Sequence, residues 1–214
     1  LRRKNKMKAE VYNINGQATG RSIELPEAIF GIEPNEHVIY LAVKQYLAGR
    51  RSGTHKTLEK SELSGSTRKL HKQKGTGGSR KGSIKNPLFK GGARIFGPRP
   101  RSYDFKLNKK VKSLAKYSAL SVKAAGSSIK IVEDFSFDAP KTKEYIKFLT
   151  AFGLENKKSL LVLPELNDNV YLSSRNVQGA AIAIAENLNT YEIMNNNTIL
   201  ISEKSIEAIA NSQN

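Results

Sequence analysis

Ser159-Leu160-Leu161-Val162-Leu163-Pro164 is the stretch on which the fold turns. A strand with one face in water alternates polar and apolar residues. Leu-Leu-Val-Leu leaves no face for water, so it reads as a strand covered on both sides, the usual state of a parallel sheet under helices. Working outward, Ile129–Val132, Ala180–Ile184 and Thr198–Ser202 are short apolar runs of the same kind. Between and after them lie helical patterns at 141–152, 168–175, 190–195 and 203–210. The first places Tyr145, Phe148, Leu149 and Phe152 on one face. Strands alternating with helices at this spacing predict an α/β fold: a mostly parallel sheet with helices on both faces.

Upstream, residues 8–14 and 21–25 alternate around a turn at 15–20 and predict a hairpin. Residues 35–48 predict a helix with Val38, Ile39, Ala42, Val43, Tyr46 and Leu47 inward and Pro34 in its first turn. A further helix is expected from Asn108, a suitable cap residue. Its packing stripe is Val111, Leu114, Ala115, Ser118, Val122 and Ala125, with Lys109, Lys112, Lys116 and Lys123 on the opposite face.

Composition narrows the function. The chain has 214 residues, 36 Lys+Arg against 19 Asp+Glu, a net charge of +17 and no Cys. Disulfides and thiolate metal sites are excluded, and no apolar run approaches the roughly 18 residues of a membrane span. Residues 1–7 are basic with no apolar segment after them, unlike a signal peptide. Such a charge calls for a polyanionic partner.

The charge is concentrated. Residues 1–8 carry +5, residues 9–43 carry −4, residues 44–106 carry +14 and residues 107–214 carry +2. Between positions 49 and 102 only nine of 54 residues are hydrophobic, while ten of the 16 glycines fall there. So little apolar area cannot offset ordering entropy, and this segment alone is expected to be disordered or nearly so. The expected organisation is a basic tail at 1–8, one globular domain from 9–47 and 103–214, and an extended loop at 48–102 inserted in it. Doubled back, the loop would reach up to roughly 90 Å.

No catalytic pattern is present. Residues 75–80, Gly-Thr-Gly-Gly-Ser-Arg, fail the dinucleotide fingerprint because Arg80 stands where a third Gly is needed and no strand precedes them. Lys81 is followed by Gly82, which breaks the phosphate-loop pattern. His37, His55 and His71 lack metal-ligand spacing. No enzyme activity, cofactor or metal is expected. The loop instead supplies phosphate contacts: Arg50, Arg51, Lys56, Arg68, Lys69, Arg80, Lys81, Lys85, Lys90, Arg94, Arg99 and Arg101, joined by Lys109 and Lys112 of the following helix. Leu88, Phe89, Ile95 and Phe96 are its candidates for stacking on bases or wedging into pockets. An RNA-modifying enzyme with a basic arm would need a cofactor loop that is missing. A DNA-compacting protein is the other rival.

Lys72-Gln73-Lys74-Gly75-Thr76-Gly77, Gly82-Ser83-Ile84-Lys85-Asn86-Pro87, Arg99-Pro100-Arg101 and Leu107-Asn108-Lys109-Lys110 resemble the bacterial large-subunit ribosomal proteins of the L-four family. So do Ala139-Pro140-Lys141-Thr142-Lys143 and residues 169–176. The resemblance runs from Met7 to Ala210, with the Bacteroidetes branch most similar at residues 30–51 and 89–92. It implies a cytoplasmic, ribosomal, structural protein whose α/β domain sits on the outer surface of the large subunit. It also implies a loop threaded into large-subunit (23S) rRNA that aids its assembly. The implied loop tip is His71, Lys72, Gln73, Lys74, Gly75, Thr76 and Gly77. That tip would line a constriction of the nascent-peptide exit tunnel, opposite a tunnel protein of the L-twenty-two family. The implied partners are therefore that rRNA, neighbouring large-subunit proteins and the nascent peptide, with no membrane. The sequence departs from the family at His71, where an aromatic is common, and at Gly78, where a basic residue is common. Other RNA binding, including the mRNA-leader repression of some members, is the alternative role. Residues 1–6 precede the family's usual start.

Overall fold

A computed structural model of the chain describes residues 8–211; the basic-tail cations Arg2, Arg3, Lys4 and Lys6 lie outside them. The elements run β1 (Lys8–Tyr12), β2 (Ala18–Glu24), α1 (Glu27–Phe30), α2 (Glu36–Gly49), α3 (Lys109–Ala125), β3 (Ile129–Val132), α4 (Thr142–Ala151), β4 (Ser159–Leu163), α5 (Asp168–Ser174), β5 (Ala180–Ile184), α6 (Thr190–Asn195), β6 (Thr198–Ser202) and α7 (Glu203–Asn211). The chain divides into two compact units. One comprises the described residues through Leu47 and from Lys106 onward; the other is Ala48–Phe105.

The first unit is built on a six-stranded sheet of order β2-β1-β3-β6-β4-β5. Among the described strands only β1 and β2 pair antiparallel; every other pairing is parallel. All five residues of β4 are buried, as the apolar run demands. Successive side chains feed different cores. Leu160 and Val162 join Ile199 and Ile201 of β6, Ile131 of β3, and residues of α1, α2, α3, α6 and α7 in one cluster. Leu161 and Leu163 join Leu200, Val132 and the α4 and α5 side chains Tyr145, Phe148, Leu149 and Val170 in a second cluster. The mostly parallel sheet with helices on both faces is the architecture expected from the sequence.

Four details differ from the sequence reading. First, β2 begins at Ala18, inside the expected turn, because the Asn13 side chain accepts from the Asn15 and Gln17 amides (3.0 Å each) and Gly16 takes φ +73°. Second, α1 has no counterpart in the sequence pattern; four residues are too few to show periodicity, yet Ile29 and Phe30 are fully buried. Third, α3 is rotated about its axis. Leu114 and Ala125 are exposed, Val111 is half-buried, and the buried set is Ala115, Ser118, Ala119, Leu120 and Ser121. Small side chains along that face let α1 approach, and the Ser121 hydroxyl donates to the Ile29 carbonyl (3.2 Å). Leu47 of α2 is likewise exposed rather than inward. Fourth, Asn108 precedes α3 with extended backbone but its side chain makes no capping bond. Asn167 and Asn189 do cap, accepting from the Val170 amide (3.3 Å) and the Glu192 amide (2.8 Å).

Because Leu160 is fully buried in a strand flanked on both sides, Leu160→Ala should cost about 3 kcal/mol, read as a lowered urea midpoint at unchanged m-value.

Candidate nucleic-acid interface

The second unit is an arm without a hydrophobic core. Between the end of α2 and the start of α3, where every residue is described, there is no helix or strand. Of its side chains only Ser83 and Ala93 are buried. Composition alone predicts disorder here, but the two limbs follow a defined path joined by backbone hydrogen bonds. The Arg101 amide donates to Gly53 (3.2 Å), Thr57 to Pro98 (3.1 Å), Arg94 to Leu58 (3.2 Å) and Leu70 to Gly82 (3.1 Å). Backbone bonding supplies the order that apolar burial cannot.

The last of these rungs isolates residues 71–81 as the closed end. Every residue from 71 to 80 is exposed, and Gly75 and Gly77 adopt positive φ (+83° and +66°). Thus His71, Lys72, Gln73, Lys74, Gly75, Thr76 and Gly77 sit together at the tip. Beside it an open cleft of about 540 Å³ is lined by Arg68, Lys69, His71, Lys72 and apolar Leu70 and Ile84. The Lys69 ammonium donates to the Gln73 side chain. On the return limb, residues 83–93 fold into consecutive turns closed by the Ala93 amide on Lys85 (3.1 Å).

At the root, four side chains meet. The Arg51 and Arg101 guanidinium carbons lie 3.9 and 4.6 Å from the Tyr103 ring centroid, and the Tyr103 hydroxyl is 3.0 Å from His55 Nε2. Gly53, at φ +62°, makes this possible: a Cβ there would fall 2.1 Å from the Arg101 carbonyl oxygen. No local sequence signal marks this arrangement, because its members are separated by up to 52 positions, from Arg51 to Tyr103.

Two of the anticipated phosphate-binding cations are already paired. Lys56 bonds Glu62, and Arg99 bonds Glu59, with Arg99 Nε 2.6 Å from its carboxylate. The Lys56 hydrogen bond, with the Glu59 amide, holds the Glu62 carboxyl below the ordinary range. Exposed ion pairs of this kind are weak and exchangeable for phosphate. Arg50, Arg51, Arg68, Lys69, Arg80, Arg94 and Arg101 are exposed, as is Lys90, with Lys81 and Lys85 half-buried.

In the first unit, Lys109 and Lys112 are exposed on α3, but Lys116 and Lys123 depart from the expected solvent face. Burial lowers the pKa of both, and Lys123 donates to the Asn196 carbonyl (2.6 Å). Rotation of α3 turns these two lysines toward protein. Among the described residues no group of three His, Asp or Glu is placed to hold a metal, and no helix is long and apolar enough to cross a membrane.

Comparison with known proteins gives this geometry its context. Residues 23–212 match the model of the Ribosomal protein L4/L1 family. The chain belongs to that family. It is 58% identical over 205 residues to the large ribosomal subunit protein uL4 of Phocaeicola vulgatus, covering 96% of this chain and 99% of that one. It is 57% identical over 203 residues to the uL4 of Flavobacterium johnsoniae, covering 95% and 97%. These relatives bear out the Bacteroidetes-like resemblance. Membership places the chain among structural, non-enzymatic proteins of the large ribosomal subunit.

Gly53→Ala should open the root of the arm, since the added methyl meets backbone. Limited trypsin digestion would then cut several-fold faster at Arg50, Arg51 and Arg101 while the helical circular-dichroism signal stays constant. Unchanged cleavage would show that this glycine does not hold the root closed.

Proposed function

We propose that this family member binds large-subunit rRNA through the arm, aids assembly of that RNA, and presents residues 71–77 to the nascent-peptide exit tunnel. The observation that carries the reading is the arm's imbalance. It holds 15 Lys+Arg against three acids, two of them ion-paired, on a backbone that hides almost nothing from water. Fifteen cations on two adjacent limbs repel one another, and phosphates relieve that repulsion while releasing condensed counterions.

The limb-to-limb hydrogen bonds support a definite mechanism. The α/β domain docks, and an arm whose path is already outlined completes its ordering as it neutralises phosphates. Partial preorganisation reduces the entropy lost on binding relative to a free coil. Arg50, Arg51, Arg68, Lys69, Arg80, Lys81, Lys85, Lys90, Arg94 and Arg101 are the proposed arm contacts; Lys56 and Arg99 join by exchanging carboxylate for phosphate. Lys109 and Lys112 extend the contact along α3. At the tip, Lys72, Gln73 and Lys74 are the proposed tunnel-facing side chains, with the L-twenty-two-family protein across the constriction and the nascent peptide between. Location in the ribosome makes the protein cytoplasmic.

Deleting residues 54–98 joins positions near the Gly53–Arg101 rung and should leave a folded domain. Its rRNA binding should weaken sharply, and the plot of log affinity against log salt should flatten by roughly 0.7–0.9 for every phosphate no longer neutralised. Undiminished, equally salt-dependent binding in a filter assay would defeat the mechanism.

Lys74→Glu inverts a charge at the exposed tip. A strain carrying it should grow more slowly and respond differently to macrolide antibiotics. Wild-type growth together with wild-type drug sensitivity would remove residues 71–77 from the tunnel wall.

A further inference from the structure

The two limbs of the arm do not match in length. Arg94 pairs with Leu58 and Pro98 pairs with Thr57, so neighbours on the outgoing limb face positions four apart on the return limb. Ile95, Phe96 and Gly97 therefore lie unpaired between two rungs, like the residues of a bulge, with Ile95 and Phe96 extruded into water. Phe96 stands at the crest. Its φ is +53°, one of two positive values at non-glycine residues among those described, and its relative exposure is 102%. Gly97 is pressed against the other limb so closely that a Cβ would lie 1.9 Å from Thr57 Oγ1.

Single exposed apolar residues are ordinary on protein surfaces, and Leu88, 89% exposed, needs no special account. Phe96 differs because its backbone is held in a conformation disfavoured for a bulky residue, between fixed rungs, with the ring wholly in water. Burial of the ring does not compensate for that conformation. The surroundings favour one class of occupant. No acid occurs in the sequence between Glu62 and Asp104, and Lys90, Arg94 and Arg101 flank the crest in sequence, as does Arg99, which is paired with Glu59 of the opposite limb. An apolar protein pocket closing on the ring would have to desolvate those cations. An RNA strand supplies a flat base for the ring and phosphates for the cations at once.

We propose that Phe96 is a stacking platform for an unpaired base of large-subunit rRNA, and that the extruded bulge exists to present it. This rests on the rRNA-binding reading above.

The chain has no Trp, so Phe96→Trp places the protein's single indole at the crest. Titrating the full-length variant with large-subunit rRNA should quench its fluorescence, and its affinity should match that of the wild type. Phe96→Ala should weaken binding roughly tenfold or more while leaving the salt slope unchanged, because stacking is abolished and every phosphate stays neutralised. Phe96→Leu, apolar but without a π face, should bind as weakly as Phe96→Ala.

Wild-type affinity in Phe96→Leu would make the residue an apolar wedge and overturn stacking. Wild-type affinity in Phe96→Ala for free rRNA, combined with failure to enter reconstituted subunits, would assign the ring to a protein neighbour and also overturn it. An indole that binding does not quench, with Phe96→Ala equal to wild type, would overturn it outright. Failure of the wild-type chain itself to bind rRNA would instead bring down the functional reading beneath it.

Discussion

Hydrogen bonds between the two limbs of the arm have to do what burial does elsewhere, because only Ser83 and Ala93 are withdrawn from water along residues 48–105. Backbone rungs set the register of the limbs, and the register in turn isolates the tip and extrudes Ile95 and Phe96. Glycine sits where this bonding needs backbone contact. At position 53 the opposing carbonyl leaves no room for a side chain, and at position 97 the Thr57 hydroxyl leaves none. Intramolecular hydrogen bonds exposed to solvent contribute little net stability each, so such an arm gains much from a partner that covers it. On the proposed reading, the arm is organised by its own backbone and completed by RNA.

The α/β unit solves the opposite problem. Its central strands are buried on both faces, and successive residues of β4 serve different cores, Leu160 one and Leu161 the other. A sheet clamped between two helical layers needs no ligand to hold its shape. The buried Tyr145 hydroxyl, without a hydrogen-bond partner among the described residues, marks one place where packing prevailed over polar satisfaction. Burial pushes its pKa well above the ordinary tyrosine value, so it stays protonated. On the proposed reading, packed domain and solvated arm divide the labour of support and contact.

Much of this is legible in the sequence because the signals are local. Apolar runs at Ile129–Val132, Ser159–Leu163 and Thr198–Ser202 announce strands, and the spacing of Tyr145, Phe148 and Leu149 announces a helix face. The face of α3 is misleading because its buried side chains are mostly Ala and Ser. A stripe of small residues gives no hydrophobic contrast, whereas exposed Leu114 gives a strong false one. The same false contrast assigns Lys116 and Lys123 to the wrong side. In the arm, cation identities can be counted, but the Arg51–Tyr103–Arg101 cluster and the crest at Phe96 depend on cross-limb register, which no local pattern encodes.

The placement of the three arm acids has a directional consequence. Glu59, Glu62 and Asp104 all belong to the root half, where Glu59 and Glu62 draw off part of the field of Arg99 and Lys56. Lys72, Lys74, Arg80 and Lys81 near the closed end have no acid within several residues. The net positive charge of the arm is therefore greater toward the closed end than toward the root. On the proposed reading, a polyanion is drawn first to that end of the arm. Which end of the arm leads is, on that reading, written into the spacing of three carboxylates.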